Sequence, residues 1–201
     1  MIYEELARLE ANKSPIRVGV SGAGWIGSGF VRQVSLMKGM TVNLVADPDV
    51  ELARHSFMAC GVQADQITEV ETPSGAMGAL NAGKKVITGS YSLAAQLEAV
   101  DIVTDVTPSP ASGAETAYSC IQNGKDVVMV NIEADVTVGR ILKKLSKDAG
   151  ILYSVSSGDE PGCLMELWDF VNSLGYVPIV IGKGKSNPLN PQATPDIVAE
   201  T

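Results

Sequence analysis

The stretch IRVGVSGAGWIGSGFVRQVSLM, residues 16–37, decides the fold. An apolar run typical of a buried strand leads into three glycines spaced G-x-G-x-x-G, and a helical pattern follows. In such a turn the first glycine permits a sharp bend, the second lets a pyrophosphate approach the backbone, and the third lets the helix pack on the strand. The stretch predicts a dinucleotide-binding turn, with a ligand-free glycine turn as the alternative. Its predicted contact residues are Gly22, Gly24, Trp25, Ile26 and Gly27.

The rest of the chain alternates apolar runs with helical patterns, which predicts a parallel sheet with right-handed crossovers. The predicted fold class is α/β, a doubly wound parallel (Rossmann) sheet, followed by the start of a second domain or an extended tail. The expected division is an N-terminal helix at 1–15, a dinucleotide-binding domain at 16–176 and the entrance to a truncated substrate domain at 177–201. Further helices are expected near 25–39, 49–61, 109–124, 138–150 and 162–175, with strands near 40–47, 86–88, 99–107, 125–131, 151–158 and 177–185.

Composition narrows the class of ligand. The 201 residues carry a formal net charge of −8, which disfavours nucleic acid and anionic membrane surfaces as partners. No apolar run approaches the roughly 20 residues that a membrane-spanning helix needs, and the first residues lack the layout of a signal peptide. Three widely spaced cysteines fit no zinc or disulfide pattern. The sequence therefore predicts a cytoplasmic protein that binds small molecules.

Asp47 ends the second predicted strand, about 20 residues after the glycine turn. A carboxylate at this position accepts hydrogen bonds from the adenosine ribose and repels the 2′-phosphate of NADP, so it favours NAD. The DPD motif around Asp47 is also typical of a turn and a helix cap, which is the alternative. Arg54 and His55, about two turns along the next helix, are within reach of the same site, although His55 fits a surface residue better than a base.

The next two strand ends are expected to face the same crevice, because ligands of doubly wound sheets bind at the carboxyl ends of strands. Thr107, Pro108 and Ser109 are predicted to line the nicotinamide ribose and to cap the following helix. Asn131 and Glu133 follow the next strand and are predicted to face the crevice as well. Helix capping alone is the alternative for both segments.

Two later segments carry charged candidates for catalysis. Glu160 lies in the glycine-flanked loop SGDEPG, where it could bind substrate hydroxyls, hold a divalent ion or complement a helix dipole. Lys183 and Lys185 lie on one face of an extended segment, where they suit a phosphate or polarise a carbonyl. A solvated edge is the alternative for the two lysines.

Two features leave alternatives open. Trp25 is expected either to cover the pyrophosphate or to pack on the N-terminal helix. The N-terminal helix, in turn, is expected either to pack on the sheet or to mediate self-association into a homo-oligomer.

The motifs PIRVGVSGAGWIGSGFVRQV, LVADPD, DIVTDVTPSPASGAETAYSCIQNGKDVVMVNIEADVTVG, SGDEPG and GKGKSNPLNPQATPD together resemble the homoserine-dehydrogenase-like oxidoreductases. The subgroup is the one that includes deoxyxylulose-5-phosphate-reductoisomerase-like enzymes, and the resemblance covers nearly the whole chain. Members of the subgroup are longer, which implies a truncated chain. The resemblance implies NADPH-dependent reduction of a phosphorylated sugar, coupled to a skeletal rearrangement in isoprenoid synthesis.

The sequence departs from homoserine dehydrogenases in two places. Ile132 stands where those enzymes carry a lysine, and the acidic loop SGDEPG replaces their glycine-rich substrate loop. We therefore expect an NAD- or NADP-dependent oxidoreductase that transfers a hydride to or from a carbonyl of a small substrate, with or without a phosphate group. In this interpretation Lys183 or Lys185 polarises the substrate oxygen, and Glu133 or Glu160 assists proton transfer. A dehydrogenase of another small substrate, a non-catalytic redox sensor and a lyase that uses the fold as a scaffold are the alternatives.

Overall fold

Seven parallel strands form the centre of the N-terminal part of the chain. The computed structural model describes residues 1–158, 162–182, 190–192 and 194. The chain divides into two compact units, residues 1–156 and 157–201. The strands of the first unit are β1 (Ile16–Ser21), β2 (Met40–Ala46), β3 (Ile67–Glu69), β4 (Lys85–Thr88), β5 (Ile102–Asp105), β6 (Asp126–Met129) and β7 (Tyr153–Val155). Its α-helices are α1 (Ile2–Ala11), α2 (Trp25–Leu36), α3 (Val50–Met58), α4 (Pro73–Asn81), α5 (Pro110–Gln122) and α6 (Ile132–Ala149).

The sheet order β3-β4-β2-β1-β5-β6-β7 confirms the predicted doubly wound Rossmann fold. One hydrophobic core, which includes Val31 of α2 and Phe57 of α3, covers one face of the sheet. A second core, which includes Ala79 of α4, Cys120 of α5 and Leu142 of α6, covers the other face. Helices pack on both faces because the buried strands are apolar on both sides.

The strand register brings four strand ends to one edge of the sheet. Ser21 of β1 is level with Ala46 of β2 and with Asp105 of β5. Asp105 is in turn level with Met129 of β6. The loops that follow these residues therefore meet at the same edge, which is where ligands bind in this architecture.

The N-terminal helix α1 packs on the turn between α2 and β2. Gly39 has a φ of +67°, and a Cβ added there would lie 2.2 Å from the carbonyl oxygen of Leu6. The backbone N–H of Gly39 donates to Glu10 at 2.8 Å, and the Lys38 ammonium lies 5.8 Å from the ring centroid of Tyr3. Packing on the domain is thus observed for α1, while self-association stays a prediction.

The start of helix α6 and the presence of strand β3 differ from the sequence prediction for local reasons. The helix expected from residue 138 begins at Ile132, because Asn131 caps it through a hydrogen bond from the backbone N–H of Ala134. Strand β3 was not expected; it has three residues and, within the described part of the chain, pairs with β4 alone. Short strands of this kind carry too little pattern to be recognised. The strand predicted at 86–88 is confirmed as β4, and helix α4 precedes it.

The second unit contains α7 (Gly162–Ser173). The strand predicted over 177–185 is wrong for residues 177–182, which have no regular secondary structure, and 183–185 lie outside the described residues. Pro178 lacks an N–H, and an apolar run becomes a strand only where a neighbour pairs with its backbone. The division after residue 156 precedes the boundary expected at 176, and a substrate domain at 177–201 stays a prediction. In the described part of the chain, no helix has the length and apolar character to cross a membrane.

Candidate dinucleotide-binding site

A cavity of about 700 Å³ lies at the edge of the sheet where the four strand ends meet. It brings together most of the predicted cofactor contacts from the glycine turn and from the loops after β2, β5 and β6. It is lined by Gly22, Gly24, Trp25, Ile26, Asp47, Pro48, Asp49, Leu52, Tyr91, Val106, Thr107, Pro108, Val130, Asn131 and Glu133.

The three glycines of the turn meet three different surroundings. Gly22 has a φ of +101°, and a Cβ on it would lie 2.9 Å from the backbone of Val106. A Cβ on Gly27 would lie 2.1 Å from the carbonyl oxygen of Gly22, so α2 packs directly on the turn. A Cβ on Gly24 would meet no atom of the described residues within 4 Å. Gly22 and Gly27 are thus required by packing, whereas Gly24 borders open space in the cavity.

The first turn of α2 is arranged to receive an anion. Gly24 is the N-cap residue, and neither a side-chain cap nor an acidic residue is present in this turn. The first backbone N–H groups of a helix lack partners within the helix, and they carry the positive end of its dipole. A phosphate group beside Gly24 satisfies these donors.

The side chain of Trp25 points away from the protein body, with 91% of its surface exposed. This exposure excludes packing on α1, one of the two alternatives that the sequence left open. Coverage of a bound pyrophosphate stays a prediction. Ile26, also at the start of α2, is 55% exposed and lines the same cavity.

Asp47 links the end of β2 to the glycine turn. One carboxylate oxygen accepts the backbone N–H of Ala23 at 2.7 Å, and the other accepts that of Asp49 at 2.9 Å. Asp49 caps α3 through a hydrogen bond from the N–H of Glu51 at 3.1 Å. The Asp47 carboxylate therefore takes part in the turn and also lines the cavity, because these two hydrogen bonds fix it at the cavity wall.

The cations considered near Asp47 do not line the cavity. The guanidinium of Arg54 contacts Glu51 at 3.0 Å and Glu69 at 3.4 Å. His55 is exposed on α3, as expected for a surface residue. Arg54 is thus paired with two carboxylates, one of them on β3, and it does not line the cavity.

The loops after β5 and β6 are joined by buried hydrogen bonds. The amide nitrogen of Asn131 donates to the hydroxyl of Thr107 at 3.1 Å and to the carbonyl of Ser109 at 2.8 Å. Thr107 and Pro108 line the cavity, whereas the hydroxyl of Ser109 caps α5 and does not line it. Asn131 both caps α6 and lines the cavity, and Glu133 lies exposed in the first turn of α6.

Two residues of the site were not anticipated from the sequence. Tyr91, which follows β4, lines the cavity, and burial, aided by Asp47, Asp105 and Glu115, raises the pKa of its hydroxyl to about 12. The hydroxyl therefore stays protonated and remains a donor. Asp105, at the end of β5, is fully buried below Thr107, and burial raises its pKa to about 6 against the effect of hydrogen bonds from Thr107. Position at a strand end was the only available sequence signal for either residue.

Three predicted catalytic residues, Glu160, Lys183 and Lys185, lie outside the described residues. Among the residues that the structure does describe, no group of three or more His, Cys, Asp or Glu side chains is placed to hold a metal ion. Of the four predicted catalytic residues, Glu133 is thus the one that the structure places, and it lies at the cavity.

Comparisons with solved structures agree with this architecture. A WlbA dehydrogenase from Bordetella pertussis, in complex with NADH and UDP-GlcNAcA, is 18% identical with a TM-score of 0.55, over 80% of this chain and 42% of that one. An oxidoreductase from Agrobacterium radiobacter, in complex with NAD⁺, L-tartaric acid and magnesium, is 12% identical with a TM-score of 0.57, over 80% and 40%. Apo scyllo-inositol dehydrogenase from Lactobacillus casei is 13% identical with a TM-score of 0.55, over 80% and 42%. At these identities the likeness shows the fold, and the chain spans about two fifths of their length.

Sequence comparison identifies two segments. No curated protein matches the sequence. Residues 158–201 match the family described as oxidoreductase DRL, catalytic domain. Residues 22–154, more than half of the chain, match the family described as homoserine dehydrogenase, NAD binding domain. This match contains all three glycines of the turn and every residue that lines the cavity, and the chain belongs to the homoserine dehydrogenase NAD-binding domain family.

Proposed function

We propose that the chain binds NAD in the 700 Å³ cavity and serves as the cofactor domain of an oxidoreductase. The observation that carries the proposal is the open space at Gly24, directly beside the uncapped first turn of α2. A backbone without side chains on this side, whose first N–H groups have no partner within the helix, is suited to a pyrophosphate. The family of residues 22–154 supports the same ligand.

Each wall of the cavity has a separate role in this proposal. The N-terminus of α2 binds the pyrophosphate, and Asp47, fixed by two backbone N–H groups, accepts hydrogen bonds from the ribose with its remaining lone pairs. Thr107, Pro108 and Asn131 line the opposite side. When bound, NAD supplies a nicotinamide ring that accepts or donates a hydride. The protein contributes position and electrostatics to that chemistry.

The charges around the cavity favour NAD over NADP. Asp47, Asp49 and Glu133 line it, and none of its described lining residues is a lysine, arginine or histidine. Arg54, the cation considered for a 2′-phosphate, is paired with Glu51 and Glu69. A 2′-phosphate beside these carboxylates therefore meets like charge without a compensating cation. This differs from the NADPH dependence that the family resemblance implies.

The proposed substrate is a small carbonyl compound that carries a phosphate group. Lys183 or Lys185 polarises its oxygen, and Glu133 or Glu160 assists proton transfer. The match of residues 158–201 to an oxidoreductase catalytic domain supports a catalytic role for the segment that contains Glu160 and both lysines. Reductoisomerase chemistry on a phosphorylated sugar is the more specific form of this proposal, and it rests on the resemblance alone.

Calorimetric titration with NADH and NADPH tests cofactor binding directly. We expect micromolar affinity for NADH and at least tenfold weaker binding of NADPH, with the difference reduced in Asp47→Asn. Gly24→Val should weaken NADH binding at least tenfold, because the side chain fills the space beside the α2 N-terminus. Gly29→Ala is the control, since Gly29 lies in the helix that Gly24 precedes and no atom of the described residues lies within 4 Å of its Cβ position.

Equal NADH affinity in Gly24→Val and the wild-type chain would contradict the assignment of the pyrophosphate to α2. A preference for NADPH would contradict the role of Asp47. Hydride transfer is tested separately, through the absorbance of the reduced nicotinamide with phosphorylated carbonyl substrates. Alanine at Lys183 or Lys185 should lower turnover tenfold or more, which is about 1.4 kcal/mol of barrier. Unchanged turnover would show that the two lysines have no role in catalysis.

A further inference from the structure

Asp105 combines two properties that rarely occur together in a folded protein. Its side chain is fully buried, and its Oδ2 has no hydrogen-bond partner in the described part of the chain. The second oxygen, Oδ1, accepts the hydroxyl of Thr107 at 2.9 Å and the backbone N–H of Thr107 at 3.4 Å. Buried carboxylates with an unsatisfied oxygen destabilise a fold, so their presence calls for a role.

Space around Asp105 is reserved by a glycine. A Cβ on Gly113 of α5 would lie 2.8 Å from Oδ2 of Asp105 and 2.5 Å from the amide nitrogen of Asn131. Helix α5 therefore approaches both side chains as closely as a bare backbone allows. The carboxylate is confined from this side, and its rotamer is fixed by packing as well as by Thr107.

The hydrogen bonds that begin at Asp105 run toward the cavity. The Thr107 hydroxyl donates its proton to Asp105, and the hydroxyl oxygen of Thr107 accepts an N–H of Asn131 at 3.1 Å. Asn131 also holds the carbonyl of Ser109 and the N–H of Ala134, so the network joins the loop after β5 to the start of α6. Asp105 itself does not line the cavity, but Thr107 and Asn131 do.

We propose that Asp105 is a positioning residue for dinucleotide binding, which orients the cavity wall formed by Thr107 and Asn131 without touching the ligand. The inference rests on the proposed function, since it concerns affinity for NADH. An ionised carboxylate can only accept hydrogen bonds, so the Thr107 hydroxyl donates its proton to Asp105. The lone pairs of the hydroxyl oxygen then remain available for the amide N–H of Asn131. Without that acceptor the hydroxyl is free to rotate, and both side chains lose their fixed orientation.

NADH titration of the 201-residue chain at pH 7.5 tests the inference, with the thermal midpoint recorded for every variant. Asp105→Ala should weaken NADH binding at least tenfold. Asp105→Asn should recover part of that loss, because the amide oxygen still accepts the Thr107 hydroxyl. The control is Asp101→Asn, at the opposite end of the same strand, where the carboxylate pairs with Arg17 at 2.6 Å. It should leave the NADH affinity unchanged.

A double-mutant cycle separates positioning from general loss of structure. Thr107→Val should weaken NADH binding, and adding Asp105→Asn should cause little further loss, because residue 105 acts through the hydroxyl that Thr107→Val has already removed. Independent, additive effects would overturn the inference. It would also be overturned if Asp105→Asn bound NADH as weakly as Asp105→Ala and both variants lost affinity in proportion to the fall in their thermal midpoints. If Asp105→Ala does not fold, Asp105→Asn and Thr107→Val still complete the cycle. Failure of the wild-type chain to bind NADH would refute the proposed function instead.

Discussion

Replacement of Gly27 by alanine measures how tightly α2 packs on the glycine turn. The added Cβ would lie 2.1 Å from the carbonyl oxygen of Gly22 and 3.0 Å from a methyl group of Val106. An ordinary contact requires at least 3.4 Å, so the helix or the turn must move by about 1 Å in a close-packed region. The atom that obstructs the new alanine Cβ is the backbone carbonyl oxygen of Gly22, which cannot rotate away as a side chain can.

The expected loss follows from two opposing effects. Overpacking of a core costs about 1–3 kcal/mol, and this contact belongs at the upper end because backbone must shift. Alanine in place of glycine in a helix returns up to about 1 kcal/mol. The net loss is about 2 kcal/mol, which lowers the thermal midpoint by about 4–8 °C for a domain of this size.

Circular dichroism melts of Gly27→Ala and Gly29→Ala, two positions on one helix, provide the assay. Gly29 is exposed with open space around its Cβ position, so its substitution should raise the midpoint by about 2–4 °C through helix propensity. A Gly27→Ala midpoint equal to or above that of the wild-type chain would refute the packing argument.

Two further predictions concern stability. Because burial raises the pKa of Asp105 from 3.8 to about 6, the folded state binds an extra proton between these values, and the free energy of unfolding should fall by up to about 3 kcal/mol as pH rises through this window. Urea unfolding at pH 4–7.5 should show this slope in the wild-type chain and a reduced slope in Asp105→Asn; equal slopes would contradict the shift. Gly39→Ala should release α1, because its Cβ would lie 2.2 Å from the oxygen of Leu6 at a φ of +67°, so proteolysis of residues 1–15 should accelerate. Gly61→Ala, at a φ of +87° with open space, is the control for backbone strain alone, and equal proteolysis in the two variants would argue against the α1 contact.

The fold could be predicted from the sequence because its signals are local and repeated. Glycines at fixed spacing and apolar runs of four or more residues identify strands and the turns that follow them. The strand predicted over 177–185 failed because an apolar run does not show whether a pairing neighbour exists. Helix α6 was predicted too short, because the helix was placed from residue 138 although a cap near Asn131 was one of the alternatives.

The site could be predicted in outline but not in its buried support. Gly24, Asp47, Thr107 and Asn131 were recognisable because each follows a strand end. Asp105 was not, because the last residue of a strand gives no sign of whether its side chain is buried, paired or exposed. Its unpaired oxygen depends on the approach of α5, which tertiary packing alone determines.

The buried carboxylate at the end of β5 also has a consequence for attempts to evolve this domain in the laboratory. Selection for heat resistance alone should collect uncharged substitutions at Asp105, because they remove a desolvated charge. The same clones should lose affinity for dinucleotide, a trade-off found where a binding site depends on an unfavourable group. A library screened for both properties should retain aspartate at this position and gain its heat resistance elsewhere.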